Sequence, residues 1–227
     1  MIMTAWEKLN IPVNDWDSLL KTKFVENTRY GGIFCDVGAC NGIITSFFKS
    51  LAGDEGKVYS FELNPYNYQV VKAFESENCT VENLAVSDKS DMMLDIFGDN
   101  LNPGNHVSNI VGHDTAFRNM GIIGSIKSIT LDDYFRDKDL DYLKIDVEGA
   151  ELKVINGGIN TIRKCKYVII ECHFQDDWLV IYETLKSNNL DFKNIVDDKP
   201  IYYGETTTVP GIGANGMPYQ IYLKNNN

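Results

Sequence analysis

Apolar and polar positions alternate along this chain in a way that predicts a parallel sheet with crossover helices: short apolar runs are separated by stretches of helical spacing. Ile33-Phe34-Cys35-Asp36, after the Gly31-Gly32 turn, reads as a buried strand. Ile43, Ile44, Phe47, Phe48 and Leu51 then recur on one side of a helix from about Gly42 to Leu51. Lys57–Glu62 is a second strand, and Pro65 opens a helix to about Ser76, proline being tolerated in a first turn. Thr80–Ala85 reads as a third strand and Met92–Phe97 as an antiparallel or edge strand. Ser125–Ile129 and Tyr142–Ile145 are further strands, with a short helix around Leu131–Phe135 between them. Glu151–Asn156 is helical and Gly157-Gly158 ends it. Tyr167–Cys172 is strongly β-prone, Asp176–Ser187 is a helix, and Leu190–Val196 and Tyr219–Leu223 make the last two strands.

The remaining segments carry less pattern. Residues 2–30 predict two short helices broken at Pro12 and Asn14, and the Asn225–Asn227 tail is expected to fray. Residues 98–124 hold Gly98, Pro103, Gly104, Gly112, Gly121 and Gly124 with His106 and His113, and a loop this long in a compact domain is usually either functional or mobile. No repeat or linker interrupts the series, so the 227 residues are expected to form one domain, with 1–30 as an N-terminal helical segment and 98–124 as an acceptor or lid loop.

Charge narrows the partners. Asp plus Glu is 32 against 21 Lys plus Arg, a net charge of −11. That balance disfavours nucleic acid, whose phosphates need clustered basic residues, and docking on anionic membranes. No apolar run is long enough to span a bilayer, and the first residues show no signal-peptide pattern. Five cysteines without a C-x-x-C pair read as buried thiols of a reducing compartment, which makes cytoplasm, of a cell or an infected host, the expected location.

The most informative segment is Phe34-Cys35-Asp36-Val37-Gly38-Ala39-Cys40-Asn41-Gly42. A strand ends, Gly38 permits a tight turn, and Gly42 opens a helix, so a ligand can approach the backbone. The spacing is G-x-x-x-G and not the G-x-G-x-x-G that holds a pyrophosphate. Asp36, two residues before Gly38, would repel a pyrophosphate and suit an ammonium group. S-adenosylmethionine carries an ammonium and a sulfonium and no phosphate. Glu62 closes the second strand 24 residues after Gly38, where an acid can accept hydrogen bonds from ribose hydroxyls.

These residues resemble a known family. Asp36–Gly42, Phe61-Glu62-Leu63-Asn64-Pro65, Asn83–Ser87, Thr130-Leu131-Asp132-Asp133 and Leu143-Lys144-Ile145-Asp146-Val147-Glu148-Gly149-Ala150-Glu151 occur in the order seen in FkbM-type S-adenosylmethionine-dependent methyltransferases, from about residue 30 to 175. The last block is the most specific. Cys40-Asn41-Gly42 departs from the family's more usual Asn, apolar residue and Gly. The resemblance implies a Rossmann-like class I methyltransferase fold, with a seven-stranded, mostly parallel sheet, an antiparallel last strand and helices on both faces. It implies methyl transfer to an oxygen, commonly on a sugar or glycosylated small molecule. Carried over by position, Asp36, Gly38 and Asn41 would hold the methionine part of the donor and Glu62 the ribose. Asn64 and Asp146 would belong to the same donor site. Ser87 would lie near the adenine, with Ala85 offering backbone groups.

Chemistry is expected at the carboxyl ends of the strands. Tyr142–Ile145 delivers Asp146 and Glu148 there, and Tyr167–Ile170 delivers Glu171 and His173 on one side of the strand. An alcohol is a poor nucleophile until its proton leaves, so His173 is the expected base, with Glu171 or Asp146 orienting it. In a metal variant, Asp146, Glu171 and His173 would together hold a divalent ion. Glu148, His106 and Ser108 are candidate contacts to the acceptor. Phe97, Phe117, Trp178 and Tyr182 are candidate platforms for a sugar ring, although Trp178 and Tyr182 stand at the helical spacing of core residues. The readings that compete with sugar O-methylation are transfer to a non-sugar hydroxyl or an N-acceptor, and a module that binds the cofactor without chemistry.

Overall fold

The computed structural model describes residues 16–98, 109–110, 121–173, 175–194 and 219–224. Its elements are α1 (Trp16–Asn27), β1 (Ile33–Val37), α2 (Ile43–Ala52), β2 (Lys57–Phe61), α3 (Pro65–Lys72), β3 (Cys79–Glu82), β4 (Ala85–Val86), β5 (Met93–Gly98), β6 (Asn109–Ile110), β7 (Gly121–Ile129), α4 (Leu131–Tyr134), β8 (Tyr142–Ile145), α5 (Glu151–Asn156), α6 (Ile159–Lys164), β9 (Tyr167–Cys172), α7 (Gln175–Ser187), β10 (Phe192–Asn194) and β11 (Tyr219–Lys224).

Seven strands form one sheet in the order β10-β11-β9-β8-β1-β2-β3. The pairs β3–β2, β2–β1, β1–β8 and β8–β9 are parallel, and β11 runs antiparallel to both β9 and β10. This is the expected Rossmann-like class I fold with an antiparallel last strand. Alternation along the strands divides the core in two. Phe34, Val58, Tyr142 and Ile169 meet Leu20, Phe24, Phe47 and Phe48 of α1 and α2. Cys35, Val37, Leu143, Ile145, Val168 and Ile170 meet Leu131, Val154, Ile155, Ile162, Ile181 and Leu185 from the helices of the opposite face. The sheet is therefore covered on both sides, as its apolar central strands require.

Several boundaries differ from the sequence expectation. Residues 80–85 do not make one strand: β3 stops at Glu82, and Ala85 starts the separate strand β4. Asn83 causes the break, its amide donating to the carbonyls of Glu62 and Leu63 at 2.8 and 3.2 Å. β4 and β5 then join β6 and β7 in a second sheet of order β4-β7-β5-β6, which the sequence reading did not anticipate. Gly157-Gly158 ends α5 at Asn156 as expected, and a separate helix, α6, follows directly. Asp132 holds α6 by accepting from the Thr161 amide at 2.7 Å and its hydroxyl at 2.8 Å. The first N-terminal helix, the 225–227 tail and residues 99–108 and 111–120 lie outside the described residues; the described part of 98–124 is strand, in β5, β6 and β7, and not loop.

Candidate functional site

The turn between β1 and α2 is built close to the sheet. The amides of Gly38 and Ala39 both donate to the Phe61 carbonyl at 3.0 Å. Gly38 has φ +84, and a Cβ there would sit 1.7 Å from the Asp146 carbonyl oxygen. Only glycine lets the turn after β1 lie this close to the turn after β8. The two turns, with the end of β9, enclose a cleft of about 220 Å³ lined by Gly38, Ala39, Cys40, Asn41, Ile43, Ile44, Lys144, Asp146, Glu148, Glu171 and His173.

Beneath the cleft lies a row of polar side chains fixed by strand register. Ser60, Asp36 and Lys144 are direct partners across β2, β1 and β8. All three face α2, where the Thr45 hydroxyl donates to Asp36 Oδ2 at 2.7 Å and lies 2.8 Å from Ser60 Oγ. Lys144 Nζ sits 3.3 Å from Asp36 Oδ1 and 3.2 Å from Asp146 Oδ2, and donates to the Gly38 carbonyl at 2.8 Å. Burial pushes the Asp36 carboxyl up, against the pull of Lys144 and Thr45. Burial alone would lower Lys144, but Asp146 and Asp36 hold its ammonium well above the usual range. Asp36 is thus placed behind the cleft wall, with no exposed surface, and the charge it faces is an internal one.

Glu62 connects the turn to β2. Its Oε2 accepts from the Cys40 amide at 2.7 Å and its Oε1 from the Asn64 amide at 2.8 Å. Burial, only partly offset by these two bonds, pushes its carboxyl up to about 7. Asn41 is exposed at the turn, its side chain accepting from the Ile43 amide at 3.2 Å. Asn64 caps α3, its Oδ1 accepting from the Tyr66 and Asn67 amides. Ala85 lies on β4, and Ser87, just beyond it, is buried with its hydroxyl donating to Asp88 at 3.1 Å.

The far wall carries the polar ends of β8 and β9. His173 Nδ1 lies 2.7 Å from Glu151 Oε1, and Nε2 lies 3.6 Å from Asp146 Oδ1 and 3.4 Å from Glu148 Oε2. Burial works against the charged ring, but Glu151, Asp146 and Glu148 outweigh it and raise His173 to about 10. Burial, with Asp146 adding to it, raises Glu171 to about 8. Asp146, Glu171 and His173 can present one ligand atom each within 4.8 Å of one another. The surrounding carboxylates favour the charged imidazole and Asp146 also lies beside Lys144, so a divalent ion there would compete with a proton and an ammonium.

The structure brings together Gly38, Asn41, Asp146, Glu148, Glu171 and His173 from the sequence expectation. Asp36, Glu62 and Asn64 stand just behind them, and Ala85 and Ser87 are not among the lining residues. His106, Ser108, His113 and Phe117 lie outside the described residues, as does the side chain of Trp178. Tyr182 packs edge-on against Phe192 in the core, with ring centres 5.4 Å apart. Sequence reasoning assigned no role to Thr45, Lys144 or Glu151. A lysine amid the apolar residues of a central strand was the available signal for Lys144, because such a position has no route to solvent.

A family model described as the methyltransferase FkbM domain matches residues 36–193. No curated protein matches the sequence. Among solved structures, a protein of Clostridium thermocellum described as an rRNA methylase is similar at a TM-score of 0.55 and 9% identity, over 94% of this chain and 97% of that one. The methyltransferase FkbM of Methylobacillus flagellatus KT is similar at a TM-score of 0.52 and 13% identity, over 96% of this chain and 58% of that one. At these identities the two structures speak for the fold alone.

Proposed function

Because the chain belongs to the FkbM family of S-adenosylmethionine-dependent methyltransferases, we propose that it methylates a hydroxyl of a sugar, a glycan or a glycosylated small molecule. The observation that carries this reading is the acceptor side of the cleft, where Asp146, Glu148 and Glu171 surround His173. Carboxylates accept hydrogen bonds from hydroxyls, and several in one wall suit a polyhydroxylated ring. The same wall, on a chain of net charge −11, repels a phosphate backbone.

The residues present fit the donor. Gly38 lets the turns after β1 and β8 close together along the cleft, Asn41 lies beside it, and Glu62 keeps oxygen lone pairs for ribose hydroxyls. When bound, the donor supplies a methyl group activated by its sulfonium. The protein's part is to hold the acceptor oxygen in line with that methyl and to take the hydroxyl proton. Glu171, raised to about 8, is the group matched to that task near neutral pH. His173, raised to about 10, stays cationic, orients Asp146 and Glu148, and stabilises negative charge developing on the oxygen. In this reading the base is Glu171, one of the two residues expected to orient His173, because the carboxylates around the imidazole favour its charged form.

The test is incubation with donor labelled at the methyl carbon. The acceptors are free and nucleotide-linked sugars, glycosylated small molecules, simple phenols and alcohols, amines and structured RNA, with products identified by mass spectrometry and NMR. A methyl ether on a sugar is expected. A methylated nitrogen, phenol or RNA, or donor binding without any product, overturns the acceptor assignment.

A further inference from the structure

Glu151 opens α5, is 1% exposed, and lies beyond the residues that line the cleft. Its Oε1 is a shared acceptor for three groups. The Val147 amide donates at 3.3 Å, the Gly149 amide donates at 3.0 Å, and His173 Nδ1 stands at 2.7 Å. The turn it grips is strained: Glu148 has φ +54, a left-handed conformation uncommon for a side chain of this kind, and Gly149 has φ +105. The two ring nitrogens of His173 are therefore divided. Nδ1 faces inward to Glu151, and Nε2 faces Asp146 and Glu148 on the cleft wall.

We propose that Glu151 is a positioning residue that couples the turn after β8 to the end of β9, fixing the His173 ring so that Nε2 points at the carboxylates of the acceptor site. The proposal rests on the reading of that wall as the acceptor site, but the clamp exists without an acceptor. A buried carboxylate that binds one imidazole nitrogen determines which nitrogen is left for chemistry. Here the same oxygen also secures the strained turn that carries Glu148. Loss of Glu151 frees the ring and the turn together, although Glu151 touches neither donor nor acceptor.

The experiment uses the full chain labelled with 15N-histidine, which has three histidines to assign, with His173→Gln identifying the His173 signals. The wild type is expected to show one strongly downfield ring N–H, slow to exchange, from His173 Nδ1. Glu151→Ala should remove it. Glu151→Gln keeps an oxygen acceptor for the two amides and the ring, so its signal should persist but move upfield. Should Glu151→Ala fail to fold, the Gln variant alone carries the test. S-adenosylhomocysteine affinity should stay within about twofold of wild type. Once an acceptor is in hand, Glu151→Gln should lower kcat at least about tenfold, with KM for the donor little changed. In a His173→Ala background it should cost nothing more. An unchanged downfield N–H in the Gln variant, or an equal loss of kcat with and without His173, overturns the proposal. The NMR measurement needs no acceptor, so a wild type that shows the clamp yet methylates no sugar overturns only the proposed function.

Discussion

Lys144 and Asp36 are cross-strand partners in register on β8 and β1, and their charges meet at 3.3 Å beneath the glycine turn with almost no exposure to water. A buried pair of this kind adds little over an apolar pair, but removing one member strands the other. Lys144→Met should destabilise the protein by about 3–5 kcal/mol. Asp36→Asn combined with Lys144→Met should be less destabilised than the sum of the two single changes. Urea unfolding of the four proteins measures this, and additive losses would contradict the pairing.

Gly38 should tolerate no side chain. A Cβ at Gly38 would meet the Asp146 carbonyl at 1.7 Å, and φ +84 disfavours any other residue. Gly38→Ala therefore pushes the turn after β1 away from the turn after β8 and widens the cleft. Affinity for S-adenosylhomocysteine should fall at least tenfold, about 1.4 kcal/mol, by calorimetry. Unchanged affinity would place the donor elsewhere.

How much of this was legible in the sequence depended on range. The strands β1, β2, β8 and β9 announced themselves because a strand covered on both faces must be apolar nearly throughout. Asp146, Glu148, Glu171 and His173 were legible because residues just past such strands emerge together at one edge of the sheet. The register that sets Lys144 opposite Asp36 spans more than a hundred residues, and no local pattern reports it. Glu151 reads in sequence as an ordinary first-turn acid of a helix; its two bonds to the preceding turn are local, but its contact with His173 exists only once β8, α5 and β9 are assembled. The second sheet was hidden for another reason. β4 has two residues and carries too few positions for any alternation to show.

Stability should fall as pH rises through the neutral range. Burial raises Glu62 from an ordinary 4.5 to about 7 and, with Asp146, Glu171 from 4.5 to about 8. Between those values the folded protein binds more protons at these sites than the unfolded chain does. Their contribution to stability is therefore complete below about 4.5 and is lost as pH rises through 7 to 8. His173 adds to the trend, because its contribution is complete only below about 6.5 and is lost progressively as pH rises toward about 10. The urea midpoint should be lower at about pH 8.5 than at about pH 6, and Glu62→Gln should flatten the slope. A midpoint that is level or rises over this interval would contradict the assignment.

Methyl transfer should not depend on a divalent ion. Such an ion on Asp146, Glu171 and His173 would need a nitrogen lone pair and carboxylate oxygens without competing cations. Instead, Glu151, Asp146 and Glu148 raise the His173 ring to about 10, and its Nε2 lies 3.6 Å from Asp146 Oδ1. The other Asp146 oxygen, Oδ2, lies 3.2 Å from Lys144 Nζ. Two positive charges thus already lie beside the carboxylate that would be a ligand, and an entering ion would have to expel a proton and displace an ammonium. Turnover should therefore survive exhaustive chelation followed by dialysis, and added Mg²⁺ or Mn²⁺ should not raise it. Activity lost to the chelator and regained with one of these ions would show that the His173 proton leaves and a metal takes its place.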